Sequence, residues 1–250
     1  MTARIVGKLK PTRGFAHVFH ILLSALIPLL VLIFVRSNFV QLAVAIILIT
    51  KWRIFTVRPR FWPAIIRANA IDVLVGLSTV VFMVHSHSGS LQLFWAVLYT
   101  LWQVYLKPGR SVLKVSLQAL VGQTYALVAL FLAWQTAPII LLMLGAWAVT
   151  YLAARHFFTS FEEPYTPLYS YTWGYFGAAL TWVNVHWLLF YGVLAQPALL
   201  LTVIGFGLGS LYFLHETDRL NKLYQREIIF VMIMVVMVVL LLSEWGSKTI

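Results

Sequence analysis

Residues 219–242 read RLNKLYQREIIFVMIMVVMVVLLL. Arg219, Lys222 and Arg226 lead into Ile228–Leu242, a run without one charged or hydrogen-bonding side chain. Such a run has no face to turn to water, so it reads as a helix in lipid, anchored by cations at the headgroups. The rest of the chain repeats this pattern. Of its 250 residues, 62% are hydrophobic and 10% charged, with a mean hydropathy of +0.90. Soluble domains run about 45–50% apolar and about 25% charged, so a soluble globular fold is excluded, as are disorder and collagen-like repeats. With no cysteine, disulfides, thiolate metal sites, iron–sulfur clusters and cysteine nucleophiles are excluded together.

The fold class is therefore all-α, a polytopic transmembrane bundle forming one integral-membrane domain over residues 1–250. A basic segment at 1–14 precedes it, and an aromatic, acidic cytoplasmic loop interrupts it at 155–171. Nine runs approach the length a bilayer core requires, about 20 residues: Phe15–Val35, Phe39–Thr50, Pro63–Val84, Leu91–Leu106, Val112–Trp134, Ala137–Tyr151, Tyr171–Leu194, Pro197–Leu214 and Ile228–Leu242. The second, fourth and sixth are short, which brackets the count between seven and nine. The first run is too long for the core of a signal peptide and reads as a retained anchor.

Charge orients the bundle. Basic residues collect in cytoplasmic loops, and of the 18 here all but Arg36 and Lys248 fall on one side of a nine-span arrangement. The N-terminus is then cytoplasmic and the C-terminus outside. A net charge of +11 and pI near 10.1 would suggest nucleic acid in a soluble protein. Here the cations flank apolar spans, so anionic membrane lipids are the expected partner and nucleic acid is not. Trp52, Trp62, Trp134 and Trp245 sit where interfacial belts form. Gly174, Gly177, Ala178 and Ala179, and likewise Gly205, Gly207, Gly209 and Ser210, suit close helix packing. A prokaryotic plasma membrane is the expected location.

Function should lie where polarity is costly. A charge at the centre of a span costs about 2.5–3.5 kcal/mol by insertion scales, and Asp72 falls near the middle of the third run. Asn69 lies three residues earlier on the same face, Arg67 is nearer the cytoplasm, and Gln123 and Asn184 fall at similar depth. Together they could hold a proton, a cation or a polar solute. The alternative is a structural aspartate paired with Arg67. On the outer side, His85, His87 and His186 offer imidazole ligands for a metal ion, set against a simple polar turn. No cofactor is otherwise expected. At the inner side, His156, Glu162, Glu163, His215 and Glu216 could form a carboxylate–histidine site, or merely offset nearby arginines.

Some chemistries are absent from the sequence. His215-Glu216 lacks the second histidine of a zinc-protease helix, and no glycine-rich nucleotide loop is present. Energy for transport would come from a gradient or another subunit. Three readings follow. The first is a small carrier or permease with Asp72 as coupling carboxylate. The second is a membrane enzyme acting on a lipid or polyprenyl substrate at the cytoplasmic face. The third is a non-catalytic subunit with a membrane-protein partner or a second copy of itself.

Overall fold

The computed structural model describes residues 15–52, 56–109, 111–185, 190–191 and 194–242, with backbone alone at 15–20, 185, 190 and 191. The basic segment 1–14, His186, Trp245 and Lys248 lie outside the described residues. Nine α-helices account for most of the rest: α1 (Phe15–Arg36), α2 (Val40–Ile49), α3 (Trp62–Val84), α4 (Gly89–Leu101), α5 (Val112–Ala133), α6 (Ile139–Thr159), α7 (Thr166–Val185), α8 (Gln196–Glu216) and α9 (Lys222–Leu242). A 3₁₀ turn, Pro59–Phe61, leads into α3, and α4 widens into a π-helical turn, Trp102–Leu106. Between α7 and α8, β1 (Phe190–Tyr191) pairs antiparallel with β2 (Leu194–Ala195).

Local chemistry sets the helix ends. Ser88 and Ser111 accept hydrogen bonds from the backbone N–H groups of Leu91 and Lys114, capping α4 and α5. Prolines stand in the first turns of α3 and α8, where no intrahelical donor is lost. Three helices end on a non-glycine residue with positive φ: Asn38, Glu162 and Asp218. In each case the next residue's N–H reaches back five positions: Phe39 to the Phe34 carbonyl, Glu163 to Phe158 and Arg219 to Leu214. This closure satisfies carbonyls that the helix leaves open.

Among the described residues, five helices are long and apolar enough to cross a membrane: α3 with its leading turn, α5, α6, α8 and α9. At ten residues, α2 is only about 15 Å long. Helix α7 has the length, but Thr166, Tyr169, Ser170, Tyr171, Thr172, Tyr175, Thr181 and Asn184 make it more polar. The expected 155–171 loop shrinks to a turn at 160–165, because α6 continues to Thr159 and α7 begins at Thr166. Phe157 is buried in the continuing helix, and Pro167 opens α7 instead of breaking it. The seventh run is described as helix through Val185, and Phe190–Tyr191 and Leu194–Ala195, the last two pairs described before α8, are strands.

Helix α5 is the hub, packing on α3, α6 and α8. Its Ala126, Leu127 and Phe131 meet Leu142, Ala146 and Val149 of α6 and Ala198 and Leu201 of α8. A second cluster joins Val31 and Val35 of α1, Ala43 and Ile47 of α2, Val80 and Met83 of α3 and Ala96 of α4. Helix α9 packs mainly on α8, and among its residues only Val239 is buried.

Candidate functional site

Asp72, ten residues into α3, is the centre of a closed polar knot. Its Oδ2 pairs with the ammonium groups of Lys51 and Lys107, the latter at 3.0 Å. Its Oδ1 accepts from Trp102 Nε1 at 3.0 Å and from Gln103 Nε2 at 3.2 Å. Lys107 also donates to Gln103 Oε1 at 2.6 Å. Lys51 stands just beyond α2, while the π-helical turn, closed by a 2.9 Å bond from the Lys107 N–H to the Trp102 carbonyl, supplies the other three donors. The Asp72 and Lys51 side chains are 11% and 12% exposed, and Lys107 is 37% exposed. Two cations around one carboxylate leave the knot positive.

Arg67 does not pair with Asp72. Its Nε donates to the Pro63 carbonyl at 3.0 Å, and five residues along a helix turn it about 140° from Asp72. Asn69 donates back to Ile65 O at 2.9 Å. Nor do Asp72, Gln123 and Asn184 share one cluster. Gln123 donates to Leu201 O at 3.1 Å and accepts from Trp173 Nε1 at 2.9 Å, tying α5 to α8 and α7. Asn184 donates to Leu180 O at 2.8 Å within its own helix. The true partners of Asp72 were missed because both lysines read as headgroup anchors. The signal available was their place at the ends of two short spans flanking the one that holds the carboxylate.

Of the three histidines considered as metal ligands, two are described. His85 Nδ1 lies 2.9 Å from the Val81 carbonyl, His87 is exposed, and His186 falls outside the described residues. At the basic end, His156 Nε2 meets Gln118 Oε1 at 3.0 Å, while Gln118 donates to the carbonyls of Leu106 and Gly109. Glu163 faces elsewhere, accepting from the Tyr212 hydroxyl at 2.5 Å and the Tyr165 N–H at 3.2 Å. Glu162, His215 and Glu216 are exposed. Among the described residues, no three histidines or carboxylates converge as metal ligands.

Near the Gln123–Trp173 bond and Tyr212 lies a cavity of about 460 Å³ lined by α5, α6, α7 and α8 and partly open to the surface. Gln123 and Trp173 stand at its inner end, Tyr169, Tyr212 and His215 toward the basic end, and Phe157 and Phe158 along one wall. Small residues create it: Ala119 on α5, Ala153 and Ala154 on α6, Gly205 and Gly209 on α8. The glycines act differently. A methyl group on Gly205 would come within 2.7 Å of Gln123 Nε2, so that position is tightly packed, whereas at Gly209 the nearest atom, from Leu120, would be 3.4 Å away. Gly209 therefore leaves space instead of bringing helices together. A wider apolar cleft of about 910 Å³ lies beside it between α5, α8 and α9, sharing Leu120, Gln123, Phe157 and Gly209 as walls. There the hydroxyls of Ser116 and Thr202 are buried without a hydrogen-bond partner.

Volume, apolar walls and a few convergent polar groups are the usual attributes of a small-molecule site. The class defined by fold and site is an all-α bundle of membrane-crossing character, with an ion-paired knot and a partly open cavity among four of its helices. Comparison with known proteins finds no match: no family model, no curated protein and no solved structure.

Proposed function

We propose that this chain is a small gradient-driven carrier in a prokaryotic plasma membrane. It crosses nine times with its N-terminus in the cytoplasm, and its solute occupies the cavity among α5–α8. The cavity is the observation that carries this reading, because a bundle with only a stabilising duty gains nothing by leaving 460 Å³ unfilled beside polar groups. In this reading Asp72, outside the cavity wall and bound by four donors, clamps α2 and α4 to α3. The coupling role expected of it passes to groups lining the cavity. Nine crossings are supported by the distribution of basic residues.

Purified protein in vesicles provides the test, with a panel of cationic, anionic and zwitterionic amphiphiles. Uptake of at least one is expected, with loss of most of that uptake in Gly209→Leu, which fills the cavity. A protein that moves none of them, or moves them equally well after Gly209→Leu, is not a carrier through this cavity.

A second reading, a membrane subunit of a larger complex, draws support from α9. Phe230, Val231, Ile233, Met234 and Leu241 are exposed on it, a surface that suits lipid or a partner helix. A stoichiometric second polypeptide after gentle extraction would favour that reading. The enzyme alternative has less support, since His156 and Glu163 engage separate partners and form no acid–base pair.

A further inference from the structure

Resting on the cavity as the solute site, we infer that its solute is a lipophilic cation: a positively charged nitrogen or phosphorus centre carrying apolar substituents. The walls are suited to one. Phe157, Phe158, Tyr169, Trp173 and Tyr212 all line the cavity. Around its basic end the rings form a continuous set, with Phe158 centroids 5.2 Å from Tyr169 and 5.0 Å from Tyr212, and Phe157 5.8 Å from Tyr212. Aromatic faces carry negative potential and attract cations, most strongly where water is excluded. Among the described residues no lysine or arginine lines the cavity, and His215 is the only wall residue able to carry positive charge.

Carboxylates supply the complementary charge. Glu163 is hydrogen-bonded to Tyr212, and Glu216 stands one helical turn beyond Tyr212 on α8. The chain has 18 basic residues against seven acidic ones, so neutralised carboxylates would be the ordinary expectation. Yet among the described residues the only ion pairs are the two at Asp72. Arg155, Arg219 and Lys222 belong to the same end of the bundle, but none of them pairs with Glu163 or Glu216. Among the described residues, then, neither carboxylate beside Tyr212 is neutralised by an ion pair. An anion beside Tyr212 would meet these two carboxylates, whereas a lipophilic cation meets favourable charge there and aromatic and apolar wall residues beyond.

Tetraphenylphosphonium and tetraphenylborate, which share shape and differ in sign, separate these cases. Binding is read by titration of the full chain in detergent, with Gly209→Leu as the control for partition into the micelle. Saturable tetraphenylphosphonium binding is expected, about tenfold or more tighter than tetraphenylborate. Glu163→Gln should weaken the phosphonium about tenfold and leave the borate unchanged or improved. Glu216→Gln, at an exposed site, should act in the same direction and covers the case in which loss of the Tyr212 bond harms folding. Equal or tighter binding of the borate overturns the inference, as does phosphonium binding that neither substitution alters. The outcome is separable from the carrier reading. Charge-selective binding without uptake into vesicles would remove the carrier and keep the cation site. Uptake blocked by Gly209→Leu but indifferent to charge would do the reverse.

Discussion

At Asp72 a single carboxylate answers two lysines, and the consequence of losing it follows from burial. Removing one member of a buried pair leaves an uncompensated charge, at a cost of about 3–5 kcal/mol. Lys107, more exposed, contributes the smaller share. Asp72→Asn is therefore expected to lower thermal stability in detergent markedly, and adding Lys51→Met should recover a substantial part. Unchanged melting in Asp72→Asn, together with loss of pH-dependent transport, would restore Asp72 as a coupling group. The residue was legible in the sequence as costly and consequential. Its partners were not, because ion pairing depends on which helix ends meet, and a positive-inside reading treats every terminal lysine as a lipid anchor.

Among the elements, the α6–α7 pair shows how small residues act. Gly174 and Gly177 lie on the face that meets Trp147, Tyr151 and Thr150, and a methyl group on Gly177 would approach Thr150 Oγ1 to 2.6 Å. Gly177→Ala should cost about 1–3 kcal/mol through overpacking. Thr150→Ala in the same chain should return much of it, since the Thr150 hydroxyl serves only the backbone carbonyls of Ala146 and Trp147. A double-mutant cycle on melting temperature checks this, and additive losses would show that the two residues do not meet. Close packing was readable in the sequence here. On α8 the same kind of stripe serves three ends: Gly205 packs on Gln123 and Trp173, Gly207 on Met232, and Gly209 opens the cavity. Spacing alone does not separate these, because what faces a glycine is decided by the neighbouring helix.

For the whole molecule the absence of cysteine is an experimental advantage. Single cysteines at Gln135 and Thr159, exposed positions at opposite ends of α6, report sidedness to an impermeant maleimide. Gln135→Cys is expected to label in intact cells, and Thr159→Cys only after lysis. The reverse pattern would invert the orientation, and labelling of both from one side would mean that α6 does not cross.

The long uncharged apolar runs by themselves determined that the chain is helical and built for lipid, because in lipid the backbone is satisfied only in a helix or a closed barrel, and barrel strands alternate in polarity. The helix stops at Asn38, Glu162 and Asp218, and the shortened turn at 160–165, needed backbone closure that hydropathy does not report. Tertiary structure alone decided which polar groups meet: Asp72 with two lysines from other elements, Gln123 with Trp173 and the Leu201 carbonyl, Glu163 with Tyr212. It also decided where space remains. Hydrophobicity acts on each segment separately and is written along the chain, whereas hydrogen bonds, ion pairs and voids depend on the relative placement of helices and exist only once the bundle has packed.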